Sequence, residues 1–164
     1  MRVSALAALA SLGPLDAGGG ALSAAALEAL CTGKRVGLYF SAQWCPMCRN
    51  FEPALLQFRQ ACADSGKPVE LIYVPSDNSE REAKLAASNL RMPHVPFGDS
   101  ATMLKKEHNV WSGREAMKLG FGRRSGVPAI VVLNPADGSE AAFIDAESRG
   151  PAALSKWPLD EHVF

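Results

Sequence analysis

Short apolar runs alternate with stretches of helical periodicity along most of the chain. Three runs, 35–40 (RVGLYF), 69–74 (VELIYV) and 128–133 (PAIVVL), are rich in strand-forming residues and too short for buried helices. A fourth, 141–144 (AAFI), follows the turn signal NPADG. Strands that alternate with helices and end in a hairpin predict an α/β fold, with a mixed central sheet flanked by helices on both faces.

Around these strands, apolar residues recur at spacings of three and four. Pro46 suits the first turn of the helix that follows the first strand, where a missing N–H does no harm. Pro53 should kink that helix. The spacing predicts helices over 6–12, 22–30, 46–62, 79–90 and 100–110, and a terminal helix near 153–157.

The length of 164 residues suits one domain, in which residues 1–20 form an N-terminal extension. Acidic and basic residues balance at 17 each, so bulk charge gives no reason to expect binding to nucleic acid or to an anionic membrane. We expect a monomer.

The apolar run from Val3 to Leu12 is far below the ~18 residues that a membrane span needs. A signal peptide would share such a run, although only Arg2 precedes it and the cleavage site is ambiguous. The alternative is a first helix with Leu6, Leu9 and Leu12 on one face. We expect a cytoplasmic protein without a membrane span, or an organelle or exported protein if the N-terminus is a targeting signal.

Four cysteines are too few for a small disulfide scaffold, and only Cys45 and Cys48, in SAQWCPMCRN, form a close pair. Cys62 is expected to be an inert buried thiol, and the role of Cys31 stays open. A structural zinc site needs four ligands, whereas this chain offers one pair and three scattered histidines. A structural disulfide across so short a loop would remove little unfolded-state entropy. Reversible dithiol exchange, without a metal or a bound cofactor, is therefore the favoured interpretation.

The position of the pair gives a physical reason for such exchange. Cys45 stands at the predicted turn from strand to helix, where free backbone N–H groups and the positive end of the helix dipole favour thiolate over thiol. We expect Cys45 to be exposed and to attack a substrate disulfide, which gives a mixed disulfide. Cys48, one helical turn deeper, would resolve it in an intramolecular step with a high effective concentration.

The segment VGLYFSAQWCPMCRNFEPALLQF, 36–58, resembles the active-site segment of the thioredoxin superfamily. It is most similar to the tryparedoxin and nucleoredoxin branch, whose pattern is Y-F-S-A-x-W-C-P-P-C-R-x-F-x-P. The stretches LIYVPSDNSEREA, MPHVPF and SGVPAIVVLNPADG extend the resemblance over roughly 30–145. The resemblance implies a thioredoxin fold and thiol:disulfide oxidoreductase activity.

By position, the resemblance implies that Cys45 is the nucleophile and Cys48 the resolving thiol, with Trp44 as the aromatic lid beside them. Pro128 matches the loop proline that is cis in this family. A cis bond between Val127 and Pro128 would turn the Val127 backbone toward Cys45, where it would offer edge hydrogen bonds to a bound peptide.

Pro46 and Met47, between the two cysteines, complete the expected substrate-binding residues. The nearest relatives have Pro-Pro at this point, so Met47 keeps an N–H that a second proline would lack. This N–H would reach toward a thiolate and make the pair more oxidising. The alternative is a tolerated substitution with a small effect.

Two single-residue departures concern proton transfer and the substrate groove. Thioredoxins proper carry a buried aspartate where this chain has Tyr39, so proton transfer from Cys48 must use water or another group. Asp77, after the second strand, is one candidate base, although a turn or cap aspartate is the simpler interpretation. His94 stands where the family has tryptophan and could line the substrate groove, although we expect an exposed loop histidine.

The largest departure is a basic insertion at 111–124 (WSGREAMKLGFGRR), just before the cis-proline loop. Its charged residues are Arg114, Lys118, Arg123 and Arg124, against the single acid Glu115. Such a segment either attracts an anionic substrate and stabilises the thiolate, or it is a solvated surface turn of helix. In the first case it would favour glutathione or a protein over the polyamine-linked thiol that tryparedoxins use.

We therefore predict a single-domain disulfide reductase that cycles between a Cys45–Cys48 disulfide and a dithiol. Its partners would be disulfide-containing protein substrates and, as electron donor, a low-molecular-weight thiol or a reductase. Two alternatives remain open: a redox-gated protein-binding module, and an oxidase or isomerase of an exported compartment.

Overall fold

A computed structural model describes residues 3–164 and contains one four-stranded mixed sheet with the strand order β2-β1-β3-β4. Strand β1 pairs in parallel with β2 and antiparallel with β3, and β3 pairs antiparallel with β4. All four predicted strands are confirmed. Their bounds are β1 Arg35–Ser41, β2 Val69–Pro75, β3 Ala129–Leu133 and β4 Glu140–Ile144.

Five predicted helices are confirmed, and the sixth differs in kind. The terminal segment is a 3-10 helix over Gly150–Lys156, because Gly150 with φ 60° ends the preceding α-helix and Pro151 follows at the start of the next turn. Pro53 lies inside α3, and the kink there stays a prediction. The α-helices are α1 Ala5–Ala10, α2 Ala24–Cys31, α3 Pro46–Asp64, α4 Glu80–Leu90, α5 Asp99–His108, α6 Ala116–Leu119 and α7 Ala146–Arg149, and a further 3-10 turn spans Gly113–Glu115.

The sheet carries a hydrophobic core on each face, as the α/β prediction requires. Successive strand residues point to opposite faces, so Leu38 and Phe40 join one core while Tyr39 joins the other. Helices α2 and α5 cover the first face. Most of α3, together with α4 and the C-terminal 3-10 helix, covers the second. The predicted thioredoxin fold, a mixed sheet flanked by helices on both sides, is confirmed.

The N-terminal apolar run folds onto the first core. Leu9 of α1 is buried there, and Leu6 and Leu12 pack against it, as the helical alternative predicts. Arg2, the basic residue that precedes the run, lies outside the described residues. Between residues 3 and 164, the structure contains no helix whose length and hydropathy suit a membrane crossing.

His94 departs from its prediction as an exposed loop residue. It is 1% exposed, because its backbone bridges Leu15 on one side and Tyr73 of β2 on the other. Burial lowers the pKa of its imidazole below the ordinary value. The prediction was wrong because the proline-rich connection around His94 adds to the edge of the sheet instead of running over the surface.

Gly37 of β1 allows the C-terminal segment to pack closely on the second face of the sheet. A β-carbon at this position would lie 2.7 Å from Cη2 of Trp157 and 2.8 Å from Cγ2 of Ile130. Both neighbours are buried, so neither is free to move aside. We predict that Gly37→Ala lowers the free energy of unfolding by about 1–3 kcal/mol through overpacking, measured by urea denaturation.

The matched control for this substitution is Gly122→Ala. No atom lies within 4 Å of the position that its β-carbon would take. Its free energy of unfolding should equal that of the parent within about 0.5 kcal/mol, as is usual for surface substitutions. Equal stability of the two variants would contradict the packing described for Trp157.

Candidate active site

The antiparallel pairing of β1 with β3 brings the cysteine motif to the proline loop. Phe40, near the end of β1, pairs with Ala129 at the start of β3, so the segments that leave these two residues meet at one edge of the sheet. The Val127–Pro128 peptide bond is cis. Sγ of Cys45 lies 3.9 Å from the carbonyl oxygen of Val127. The predicted approach of the Val127 backbone to Cys45 is therefore confirmed.

The loop after β2 holds the motif from the other side. The indole N–H of Trp44 donates to the carbonyl of Ser76 at 2.9 Å, and the N–H of Gln43 donates to Oδ1 of Asp77 at 2.8 Å. The hydroxyl of Tyr73 donates to Oδ2 of the same carboxyl at 2.6 Å. Burial raises the pKa of Asp77. Because both of its oxygens are used to fix the loop, the structure makes Asp77 a positioning residue.

Cys45 is the N-cap of α3, and Pro46 is the first helical residue, as predicted. The side chain of Met47 is 49% exposed. The backbone N–H that donates to Sγ of Cys45, at 3.3 Å, belongs to Cys48. An N-cap side chain accepts from the second or third residue of the helix, and here the donor is the third residue, Cys48, and not Met47, whose N–H was expected to make this contact.

The exposed Cys45 of the sequence prediction is corrected by the structure, where this residue is 6% exposed. It is enclosed by Val127 and by the insertion at 111–124, whose Arg114 lies over Trp44 of the motif. Cys45 opens into a cleft of about 230 Å³ between the motif and this insertion. The lining residues are Trp44, Cys45, Pro46, Met47, Ser112, Gly113, Arg123, Val127 and Glu147.

Five predicted site residues thus line one cleft, together with three residues of the insertion at 111–124 and with Glu147, which sequence reasoning missed. Cys48 lies beneath the cleft, fully buried, and Pro128 is buried behind Val127. Glu147, from α7, accepts a hydrogen bond from the N–H of Gly126 at 3.0 Å. No local pattern in the sequence signals that α7 reaches the proline loop.

The insertion at 111–124 is held by its own tryptophan. Trp111 is 4% exposed, and its indole N–H donates to the carbonyl of Gly120 at 3.1 Å. Nη1 of Arg123 donates to the carbonyl of Trp111 at 2.8 Å. The guanidinium of Arg114 lies 3.8 Å from the ring centroid of Trp44, in a cation–π contact with the motif. The segment therefore forms a wall of the cleft.

A buried carboxyl lies beside the second cysteine. Glu52 is 9% exposed and accepts hydrogen bonds from the hydroxyls of Tyr39, at 3.3 Å, and Ser41, at 3.4 Å. Burial raises the pKa of Glu52 and also that of the Cys48 thiol, which Ser41 acts to lower. Sequence reasoning overlooked Glu52, although its spacing of four residues from Cys48 on α3 places both on one helix face.

The other two cysteines are remote from this cleft. Cys31 ends α2, and burial raises the pKa of its thiol to about 11. Cys62, near the end of α3, is buried as predicted, and burial raises its pKa as well. All four cysteines are free thiols. Across residues 3–164, histidine, cysteine and carboxylate side chains form no group of three or more that could hold a metal ion.

Known proteins resemble this chain in sequence and in fold. Residues 33–140 match a family model described as thioredoxin-like. Nucleoredoxin of Bos taurus is 32% identical over 124 residues, which make up 75% of this chain and 25% of that protein. This chain therefore spans about a quarter of the length of the mammalian nucleoredoxins that it matches.

Two solved structures from Crithidia fasciculata align over nearly the whole chain. Native tryparedoxin I is 25% identical with a TM-score of 0.64, and the alignment covers 93% of this chain and 91% of that one. Tryparedoxin II is 24% identical with a TM-score of 0.66, and the alignment covers 94% of each chain. The second likeness shows the fold alone.

The burial of the thiols predicts a reactivity order in the reduced native protein. At pH 8 we expect iodoacetamide to modify Cys45, which opens into the cleft, at least about 100-fold faster than the other three. With a pKa of about 11, Cys31 is thiolate in only about one molecule in a thousand at that pH, and the thiolate is the reacting species. Peptide mass spectrometry after timed quenching measures the four rates.

Denatured protein is the control, because all four cysteines should then react at similar rates. Faster labelling of Cys31 or Cys62 than of Cys45 in the native protein would contradict the assigned site.

Proposed function

Because this chain belongs to the thioredoxin-like family, within its tryparedoxin and nucleoredoxin branch, we propose that it is a thiol:disulfide oxidoreductase that reduces disulfides in proteins. The observation that carries the proposal is the position of Cys45. This thiol caps a 19-residue helix, contacts the Val127 carbonyl and opens into a cleft, while Cys48 lies one turn further along the helix.

The proposed reaction is two successive exchanges. The thiolate of Cys45 attacks one sulfur of the substrate disulfide, which breaks the S–S bond and releases the other sulfur as a thiolate. Cys48 then loses its proton and attacks Sγ of Cys45, which releases the second substrate sulfur. The products are a Cys45–Cys48 disulfide and two substrate thiols. A low-molecular-weight thiol or a reductase, as electron donor, returns the pair to the dithiol.

The walls of the cleft suit an extended polypeptide around its disulfide. The Val127 backbone beside Cys45 offers an edge to which a substrate strand can add. Trp44 and the exposed side chain of Met47 supply apolar contact on the motif side. We assign substrate binding to these residues and to Pro46, which lies between them on the cleft surface.

The second exchange needs a proton acceptor, and we assign this role to Glu52. Burial raises the pKa of Cys48, so this thiol is protonated when the mixed disulfide forms. The hydroxyl of Ser41 interacts with both Cys48 and Glu52, and so provides a path for the proton from sulfur to carboxylate. A carboxylate whose pKa is raised is a stronger base than an exposed one.

The groups around Glu52 set its pKa, and this pKa determines the pH at which the carboxylate becomes protonated. Tyr39 donates to it from β1, Asp77 faces it from the loop after β2, and Arg49 approaches along α3. Burial is the largest influence and raises its pKa, and the charge of Asp77 acts in the same direction. The carboxylate is therefore available as a base above this raised pKa, and protonation removes it as the pH falls.

Single substitutions should distinguish the roles of the two cysteines. We predict that Cys45→Ser abolishes the reduction of insulin by dithiothreitol above the uncatalysed rate, because the attacking sulfur is lost. Cys48→Ser should instead trap the mixed disulfide on Cys45, visible as a mass adduct that added dithiothreitol removes. Cys62→Ala is the control and should retain turnover.

Two measurements on the parent protein, its reduction potential and its rate of insulin reduction, distinguish this proposal from its alternatives. Its reduction potential, from equilibration with glutathione buffers, should be near the thioredoxin value of ~−270 mV for a reductase. A value above roughly −180 mV would instead indicate an oxidant or a sensor. Failure of the parent to exceed the uncatalysed rate of insulin reduction would favour the redox-gated binding module.

If Glu52 accepts the proton of Cys48, its substitution should slow the second exchange. In Glu52→Gln, release of the second product thiol from a preformed Cys45 mixed disulfide should slow by about 10²-fold, the usual scale for a lost general base. The bend in the pH profile that protonation of Glu52 causes in the parent should also disappear, which leaves a rate that rises steadily with pH as Cys48 ionises. Stopped-flow measurement of thiol release from pH 4.5 to 8.5 tests both effects.

Two matched variants separate proton transfer from structure. Glu28→Gln makes the same change at an exposed site on α2 and should leave the profile intact. Asp77→Asn removes a negative charge that raises the pKa of Glu52, so its profile should shift toward lower pH without losing its shape. An unchanged profile in Glu52→Gln would overturn the assignment.

A further inference from the structure

The charges of the insertion at 111–124 are unequally neutralised. Its one acid, Glu115, bonds Lys105 of α5 at 2.5 Å. Burial acts to raise the pKa of this carboxyl, but Lys105 outweighs burial and the pKa is lowered. Arg124 forms a two-pronged ion pair with Glu140 of β4 and stacks on Phe143. The acid and this arginine are therefore each paired outside the cleft.

Three cations of the insertion remain, and two of them face the motif. Among the described residues, Arg114, Lys118 and Arg123 form no salt bridge. The guanidinium of Arg114 lies over the ring of Trp44, and Arg123 lines the cleft beside Cys45. Lys118 does not line this cleft.

Both guanidinium groups are held in place before any ligand arrives. Arg114 is fixed by its contact with Trp44, whose own indole N–H is bonded to Ser76. Arg123 uses one of its five N–H donors on the carbonyl of Trp111. A guanidinium that is already positioned loses less conformational entropy when it binds a carboxylate than a free side chain does. The remaining donors of Arg123 are available to a ligand in the cleft.

Glu147 is the acid that opposes them. A β-carbon at Gly126 would lie 1.9 Å from Oε2 of Glu147 and 2.5 Å from Nη1 of Arg123, so the two side chains meet over this glycine. Oε1 of Glu147 is already bonded to the Gly126 N–H. The two guanidinium groups beside the motif, Arg123 in the cleft and Arg114 at Trp44, thus outnumber Glu147, the one carboxylate that lines the cleft.

We infer that this cleft selects disulfides that carry a carboxylate close to the reacting sulfur. The inference rests on the proposed exchange at Cys45 and names the substrate class for it. A cleft of about 230 Å³ holds only the groups next to the disulfide, so the recognised carboxylate must be near it. At that range the attraction acts within the ~8 Å screening length of physiological salt.

Three small disulfides of different charge test the inference: oxidised glutathione is anionic, 2-hydroxyethyl disulfide is neutral and cystamine is cationic. The second-order rate of oxidation of the reduced parent protein by each is divided by the rate for dithiothreitol with the same disulfide, which removes intrinsic reactivity. We expect the normalised ratio of oxidised glutathione to cystamine to exceed about tenfold in low salt and to fall several-fold in 0.5 M salt, as steering requires.

Charge variants assign the preference to individual residues. Arg123→Gln and Arg114→Gln should each lower the ratio by about threefold or more, and the double variant should bring it near one. Glu147→Gln should raise the ratio, because it removes the opposing charge while its amide oxygen can still accept the Gly126 N–H. Lys118→Gln, the matched control on the same segment, should leave the ratio unchanged.

A pair of peptide disulfides, with aspartate or lysine next to cysteine, distinguishes the source of the carboxylate. Preference for the aspartate peptide extends the selectivity to proteins, and preference for glutathione alone restricts it to that tripeptide. A parent ratio near one, or a ratio that neither arginine variant lowers, would overturn the inference. If the parent reacts with none of the disulfides, the proposed function itself fails, which is a separate result.

Discussion

The pairing of Phe40 with Ala129 is the constraint on which the site depends. Because β3 runs antiparallel to β1, the chain leaves β1 at the point where it enters β3, and Cys45 meets the Val127 carbonyl. A shift of register by one residue would turn every side chain of β3 to the opposite face and exchange the two cores. Ile130 packs in one core and Val131 in the other, so such a shift would exchange side chains of different size between two packed cores.

Burial gives the two motif cysteines different properties. Cys45 stands at the helix N-terminus with an N–H directed at its sulfur, whereas Cys48 lies beneath it, where desolvation opposes the thiolate. A thiol that resists ionisation needs a nearby base at the moment of attack, and Glu52 is a carboxyl that the same helix carries to it. The helix thus supplies the cap for one sulfur and, in the proposed mechanism, the proton acceptor for the other.

Much of the fold follows from short-range patterns, whereas parts of the site do not. The strands could be predicted because apolar runs of four to six residues leave few alternatives, and the cis bond at Pro128 because a long motif resembled a known one. The burial of His94 and the contact of Glu147 with Gly126 arise from pairings between distant segments, which local composition does not encode. The spacing of four residues between Cys48 and Glu52 could have identified this carboxyl from the sequence, but Asp77 was considered as the base in its place.

The insertion at 111–124 shows how a loop adds chemistry to an otherwise fixed framework. Its tryptophan and the ion pair between Glu115 and Lys105 anchor it to the protein, whereas Arg114 and Arg123, which form no salt bridge, lie beside the motif. The anchor and the charge are separate sets of side chains. Altered charge in the cleft therefore need not loosen the segment, and the same wall could present a different charge to a different substrate without any change in the sheet that holds the cysteines.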